Sequence, residues 1–226
     1  MKLASLFTGG KDSTYSLFLA SKENEISCLI NAVSRNQDSY MFHTVGSNIV
    51  ELQAKALGLP LERFSTKGEK EKELDDLFAC LERIKRKYGI EGVVSGALAS
   101  KYQADRIKSL LDRLGLVSVN PLWNSDVYSY LKAFIGDGFK AIIISVSADG
   151  MDSGWLGEEI NTENLDKLKE LSERYGFHLG FEGGEAESCV IDGPIFKQRI
   201  SIDSYKKIND GGKHYLLIDS ATLVNK

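Results

Sequence analysis

Residues 8–13, Thr8-Gly9-Gly10-Lys11-Asp12-Ser13, constrain the fold of this 226-residue chain more than any other segment. They follow directly on the apolar run Leu3-Ala4-Ser5-Leu6-Phe7 and lead into a segment of helical character. A strand that turns through two glycines into a helix start builds an anion cradle. The glycines let backbone N–H groups approach an anion closely, and the helix N-terminus adds partial positive charge. Thr8 and Ser13 add hydroxyl donors, and Lys11 adds a mobile cation. The string is not a Walker A loop, because Lys11 is followed by Asp12 and Ser5 stands where the first Walker glycine belongs. A plain Gly-Gly turn with a Ser or Asp cap and a solvated lysine is the bland account. The complete six-residue string at the first strand–helix junction outweighs it.

The rest of the first half repeats the same rhythm. Apolar runs at 3–7, 26–33, 61–64 and 92–95 alternate with amphipathic segments at 13–22, 48–57, 69–88 and 101–114. In the segment 69–88, Leu74, Leu77, Phe78, Leu81 and Ile84 recur at helical spacing, and Gly89 lies just past its end. Such alternation predicts a doubly wound α/β fold, a parallel sheet with helices on both faces. Ligands in these sheets bind at the carboxyl ends of strands, where segments 8–13, 31–44 and 96–102 all fall. After Asn120-Pro121 the rhythm changes to a helix at 125–135, a very apolar strand at 141–146, a Gly-rich stretch at 149–157, a helix at 162–175 and strands at 195–202 and 215–218. The reading is a doubly wound domain carrying the anion cradle over 1–120 and a smaller α+β domain over 121–226.

Composition bounds the function classes. With 42% hydrophobic and 27% charged residues the chain is ordinary for a globular protein. A net charge of -4 and a pI near 5.5 give no broad electrostatic footprint for nucleic acid. No apolar run reaches the length of a membrane span, and no secretory leader is expected before the first strand. Cys28, Cys80 and Cys189 form neither a Cys-x-x-Cys pair nor a metal-ligand spacing. These features predict a cytoplasmic protein with reduced thiols, no membrane contact and no direct nucleic-acid partner.

Three further clusters stand out. Tyr40 and His43, with Met41 and Phe42 between them, read either as an aromatic wall with an imidazole at a ligand or as packing residues beside a capping histidine. Gly96-Ala97 leads to Tyr102, Gln103 and Arg106, the arginine one turn further on. Its alternative is a surface ion pair. The stretch 180–188 holds Glu182, Gly183, Gly184, Glu185 and Glu187, three carboxylates among glycines. It reads as a solvated loop, or as a cluster for magnesium or a cationic substrate. Cys189 beside it reads as structural rather than reactive.

The six-residue loop resembles the PP-loop of the ATP pyrophosphatase superfamily, with Thr8 in place of its usual serine. That superfamily cleaves ATP between the α and β phosphates. The chain as a whole resembles the diphthine–ammonia ligase family in its short, archaeal-type form. The resemblance runs through residues 39–43, Gly96-Ala97, Tyr102-Gln103, Arg106, Pro121-Leu122-Trp123, Trp155-Leu156-Gly157 and Gly183-Gly184-Glu185, in order. Ala186 stands in place of an aromatic residue, and Phe181-Glu182 replaces the more usual Gly-Glu.

The resemblance implies ATP-dependent amidation of the diphthine carboxylate on translation elongation factor two. It implies magnesium, ammonium as nitrogen donor, an acyl-adenylate intermediate, and AMP with pyrophosphate as products. Thr8, Gly9, Gly10 and Ser13 are then assigned to phosphate, Lys11 to charge stabilisation, and Asp12 to magnesium or to the helix cap. Asn31, Ala32 and Val33 are assigned to adenine. Tyr40, His43, Gly96, Tyr102, Gln103, Arg106, Glu182, Gly183, Gly184 and Glu185 are assigned to the substrate side. Since the PP-loop opens within the first strand, free ammonium is expected rather than a fused glutaminase.

Two rivals remain at the sequence level. A tRNA-modifying PP-loop enzyme would adenylate a base carbonyl, and predicts a basic surface and, for thiolation, a reactive cysteine pair. A nucleotide-binding sensor without turnover would have little need of the full Lys11-Asp12-Ser13 set. The sequence leaves the oligomeric state open, a homodimer among the options.

Overall fold

The structure, a computed structural model, describes residues 1–34, 47–66, 72–98 and 101–226. The chain divides into two compact units, Met1–Thr8 with Asp12–Asn124, and Gly9–Lys11 with Ser125–Lys226.

The first unit is built on β1 (Lys2–Leu6), β2 (Glu25–Ser34), β3 (Leu61–Thr66), β4 (Gly92–Val94) and β5 (Val117–Val119). All pair in parallel, in the order β3-β2-β1-β4-β5. The helices between them are α1 (Lys11–Ser21), α2 (Ser47–Leu57), α3 (Lys72–Tyr88) and α4 (Lys101–Arg113). Successive strand residues point to opposite faces. Leu3 accordingly packs with Ala20 of α1 and Val94, whereas Ala4 joins Cys28, Ile30, Leu77, Leu81 and Leu111 under α3 and α4. Both faces are covered, which is why β1, β2 and β4 are largely apolar rather than strictly alternating. The fold is thus the doubly wound α/β arrangement that the alternation predicts. Strand β5 has only three residues and no sequence signal of its own.

One polar cluster lies inside this unit. Glu62 on β3 is 8% exposed and accepts hydrogen bonds from Lys87 Nζ at 2.6 Å, Tyr88 Oη at 2.8 Å and Arg83 at 2.7 Å. Burial pushes its carboxyl up, but the bonds from Lys87, Tyr88 and Arg83 outweigh that and hold it at about 2.

The second unit carries α5 (Val127–Gly136), β6 (Lys140–Val146), α6 (Thr162–Tyr175), β7 (Ala186–Asp192), β8 (Arg199–Asp210) and β9 (Lys213–Val224). The strands form an antiparallel sheet in the order β7-β6-β9-β8. Asp126 caps α5 by accepting the Ser129 N–H, and Asn161 caps α6 by accepting the Asn164 N–H. Every residue of β6 after Lys140 is buried. The sequence predicts short strands at 195–202 and 215–218, but β8 and β9 run twelve residues each and form one hairpin. Gly211 and Gly212 both take positive φ, 59° and 94°, as a two-residue hairpin turn requires. The polar stretch between Ile202 and Leu216 hides this pairing because little of it faces a core.

Candidate functional site

Strand order places a topological switch between β1 and β4, since β2 and β3 extend to one side and β5 to the other. The loops leaving β1 and β4 therefore part at the position where such sheets bind ligands. Backbone pairing of β1 continues one step beyond the strand, with the Phe7 N–H donating to the Ile30 carbonyl at 2.8 Å. The chain then turns at Gly9, whose φ of 80° favours glycine, and α1 begins at Lys11.

Within the first unit, Thr8 and Ser13 close the base of the loop. Ser13 Oγ accepts the Thr8 N–H at 3.2 Å and lies 3.0 Å from Thr8 Oγ1. Asp12 sits inside the first turn of α1 rather than before it, where its charge complements the helix dipole. Gly96, from the loop after β4, backs directly onto this turn. A Cβ there would lie 2.7 Å from Ser13 N and 2.8 Å from Asp12 C, both backbone atoms that cannot move aside. Asn31 on β2 is 7% exposed and donates through Nδ2 to the Phe7 carbonyl at 2.9 Å. Its buried Oδ1 has no hydrogen-bond partner among the described residues. Ala32 and Val33 follow on β2, half-buried, paired in register with Phe64 and Ser65.

Within the second unit, the middle of the loop is held by β7 and the turn before it. The Val190 N–H donates to the Gly9 carbonyl at 3.0 Å, and Ser188 Oγ accepts the Lys11 N–H at 3.1 Å. The Lys11 side chain, read from sequence as a mobile cation, is only 2% exposed. Its Nζ donates to the Gly180 carbonyl at 2.7 Å and lies 5.1 Å from the centre of the Phe181 ring. Phe181 takes φ 63°, a left-handed backbone uncommon for a bulky residue.

The carboxylates of this turn divide in role. Glu185 braces its own loop, accepting the His178 N–H at 3.0 Å through Oε1 and the Gly183 N–H at 2.8 Å through Oε2. Gly184 takes φ 84°, and its carbonyl accepts Ser147 Oγ–H at 2.7 Å. Glu182 is exposed. Arg106 lies half-buried on α4. Tyr102 and Gln103 fall in the first turn of α4, with side chains outside the described part, and Tyr40 and His43 lie outside the described residues.

Gly180, Phe181 and Ser188 are the partners of Lys11 that sequence reasoning left without a role. Gly180 and Ser188 lie 169 and 177 positions away, and no local pattern links them to the loop. All three cysteines are buried. Burial pushes the Cys28 and Cys189 thiols up to about 12 and raises that of Cys80, so none is a thiolate at neutral pH. Among the described residues no group of three or more His, Cys, Asp or Glu side chains could hold a metal ion. No described helix is long and apolar enough to cross a membrane.

A doubly wound parallel sheet with a Thr-Gly-Gly-Lys-Asp-Ser turn at its switch point defines an α/β protein of the PP-loop class. Residues 1–118 match the diphthamide synthase N-terminal domain and residues 126–224 the diphthamide synthase C-terminal domain. The chain is 36% identical to the diphthine–ammonia ligase of Mus musculus, covering 92% of this chain and 85% of that one. It is 35% identical to that of Homo sapiens, covering 90% and 84%. The match to that of Saccharomyces cerevisiae is 31% identical and covers 95% of this chain and 36% of the longer yeast protein. The chain belongs to the diphthamide synthase family. Among solved structures, a predicted subunit of a tRNA methyltransferase from Methanocaldococcus jannaschii aligns with 86% of this chain and 98% of its own, at 17% identity and a TM-score of 0.48.

Proposed function

We propose that this chain is an ATP-dependent carboxylate–ammonia ligase that converts the diphthine carboxylate on translation elongation factor two into the carboxamide. The observation that carries the reading is the match of both diphthamide synthase domains across nearly the full chain, with the loop 8–13 at the end of β1.

The chemistry follows from the poor electrophilicity of a carboxylate. A carboxylate oxygen attacks the α-phosphorus of ATP, the bond to the bridging oxygen breaks, and pyrophosphate leaves. Ammonia, after ammonium gives up a proton, then attacks the acyl carbon of the adenylate and AMP departs. Thr8, Gly9, Gly10 and Ser13 are assigned to the phosphates, and Lys11 to the charge that builds on the leaving pyrophosphate. The left-handed turn at Gly9 suits a phosphate held against backbone. The unpartnered Asn31 Oδ1 suits a donor such as the adenine amino group, since a buried acceptor left without a donor costs about 1–3 kcal/mol. Magnesium carried on the nucleotide phosphates, with Asp12 as its protein ligand, would neutralise phosphate charge.

On the acceptor side, Glu182 is assigned to ammonium or the cationic part of diphthine, and Arg106, Tyr102, Gln103, Tyr40 and His43 to the remaining contacts. Glu185, with Gly183 and Gly184, supports that side by fixing the turn. The buried, neutral thiols disfavour a thiolating enzyme, which needs a reactive sulfur.

The test is product identity. Purified protein with ATP, magnesium, ammonium and the diphthine-bearing factor should release AMP and pyrophosphate only when the factor is present. Formation of ADP, or AMP formation indifferent to the factor, would overturn the proposal.

A further inference from the structure

Strand β7 is the outer strand of the second sheet, with β6 along one edge. An outer edge presents backbone N–H and C=O groups that need partners. Here the Val190 N–H reaches the Gly9 carbonyl, and two residues earlier Ser188 Oγ takes the Lys11 N–H. That N–H opens α1 and is one of the four that a helix cannot satisfy internally. The side chain just before a helix takes the N–H two or three places into it, so the first N–H is left to water or to a group from elsewhere in the fold. For the Lys11 N–H that group is Ser188 Oγ, 177 positions away in sequence. The Gly180 carbonyl meanwhile holds the Lys11 side chain, so main chain and side chain of this residue are both fixed by the stretch 180–188.

We propose that Ser188 is a positioning residue for ATP, acting through the Lys11 amide to set the Gly9–Lys11 turn in its phosphate-ready geometry. The assignment rests on the phosphate-binding reading above. Threonine at 188 keeps the oxygen on a β-branched side chain that a strand accommodates readily, and valine has the same shape without it. The two variants therefore separate the hydrogen bond from packing.

ATP binding is measured by calorimetry on the full chain with magnesium and without acceptor, alongside amide exchange at Lys11 and thermal unfolding. Ser188→Val and Ser188→Ala are expected to bind ATP about tenfold more weakly, the scale of one lost hydrogen bond. Their Lys11 amide should exchange faster and their unfolding should stay near wild type. Ser188→Thr should remain within about twofold of wild type on the same scale. In turnover assays the loss should fall on KM for ATP rather than on kcat. Unchanged affinity in Ser188→Val, or equal losses in the valine and threonine variants, would overturn the assignment while leaving the ligase reading intact. A wild-type protein that binds no ATP would instead overturn the ligase reading, and the assignment with it. Should Ser188→Ala fail to fold, the valine–threonine comparison decides alone.

Discussion

Lys11, the loop's cation, is buried with defined partners rather than free at a surface, and the proposed chemistry rests on it. Lys11→Ala should reduce AMP formation by about 100-fold or more, as loss of a charge-stabilising donor does. An assay of AMP release at saturating ATP checks it. The cysteines make the opposite prediction. Buried and held as thiols, they should resist alkylation in the native protein, and Cys189→Ala should retain most ligase activity. Rapid inactivation by a thiol reagent would count against the adenylation-only account. Glu62 gives a pH signature. Its carboxyl titrates at about 2 in the folded protein, against an ordinary value of 4.5. The folded state thus binds the proton less readily than the unfolded chain, and the cluster's contribution is present above about pH 4.5 and fades as pH falls towards 2. Glu62→Gln should flatten that part of the acid denaturation curve. At neutral pH it should cost about 1–2 kcal/mol, modest because Arg83 and Lys87 stay half-exposed and hydrated when their partner is removed.

At the level of elements, the loops after β1 and β4 succeed or fail together. Gly96→Ala places a methyl against the backbone of Asp12 and Ser13, so ATP affinity should fall by at least about tenfold while overall folding survives, a loss readable by calorimetry. At the tip of the β8–β9 hairpin, Gly211→Ala and Gly212→Ala meet no neighbour within 4 Å. Their cost is conformational alone, about 1 kcal/mol each, seen as a lower melting temperature with ligase activity unchanged. These two elements also mark what a sequence can disclose. The parallel sheet, its order of helices and the turn at 8–13 follow from local signals: apolar runs, helical spacing and the six-residue string. Gly96 was legible as a small residue at the carboxyl end of β4, although its contact with Ser13 was not. The hairpin's length was hidden because β8 and β9 pair along exposed polar residues, though Gly211-Gly212 between them is a turn signal. Ser188, Gly180 and Phe181 were illegible as partners of Lys11. Hydrogen bonds spanning 169 and 177 positions are set by the fold and leave no local pattern.

For the whole molecule, the two diphthamide synthase domains account for nearly every residue from 1 to 224, and the mouse and human relatives align over most of their own length. The first unit is a parallel sheet with its switch point, and in the second Lys11 is held by Ser188 of β7 and the Gly180 carbonyl of the turn before it. The central claim is that this chain forms an amide on diphthine at the expense of the α–β bond of ATP. It is tested most directly by mass spectrometry of the modified histidine peptide of elongation factor two, after incubation with ATP, magnesium and isotopically labelled ammonium. The account predicts conversion of the carboxylate to a carboxamide that carries the label, lost with Lys11→Ala. A peptide that keeps its carboxylate while AMP accumulates would contradict it.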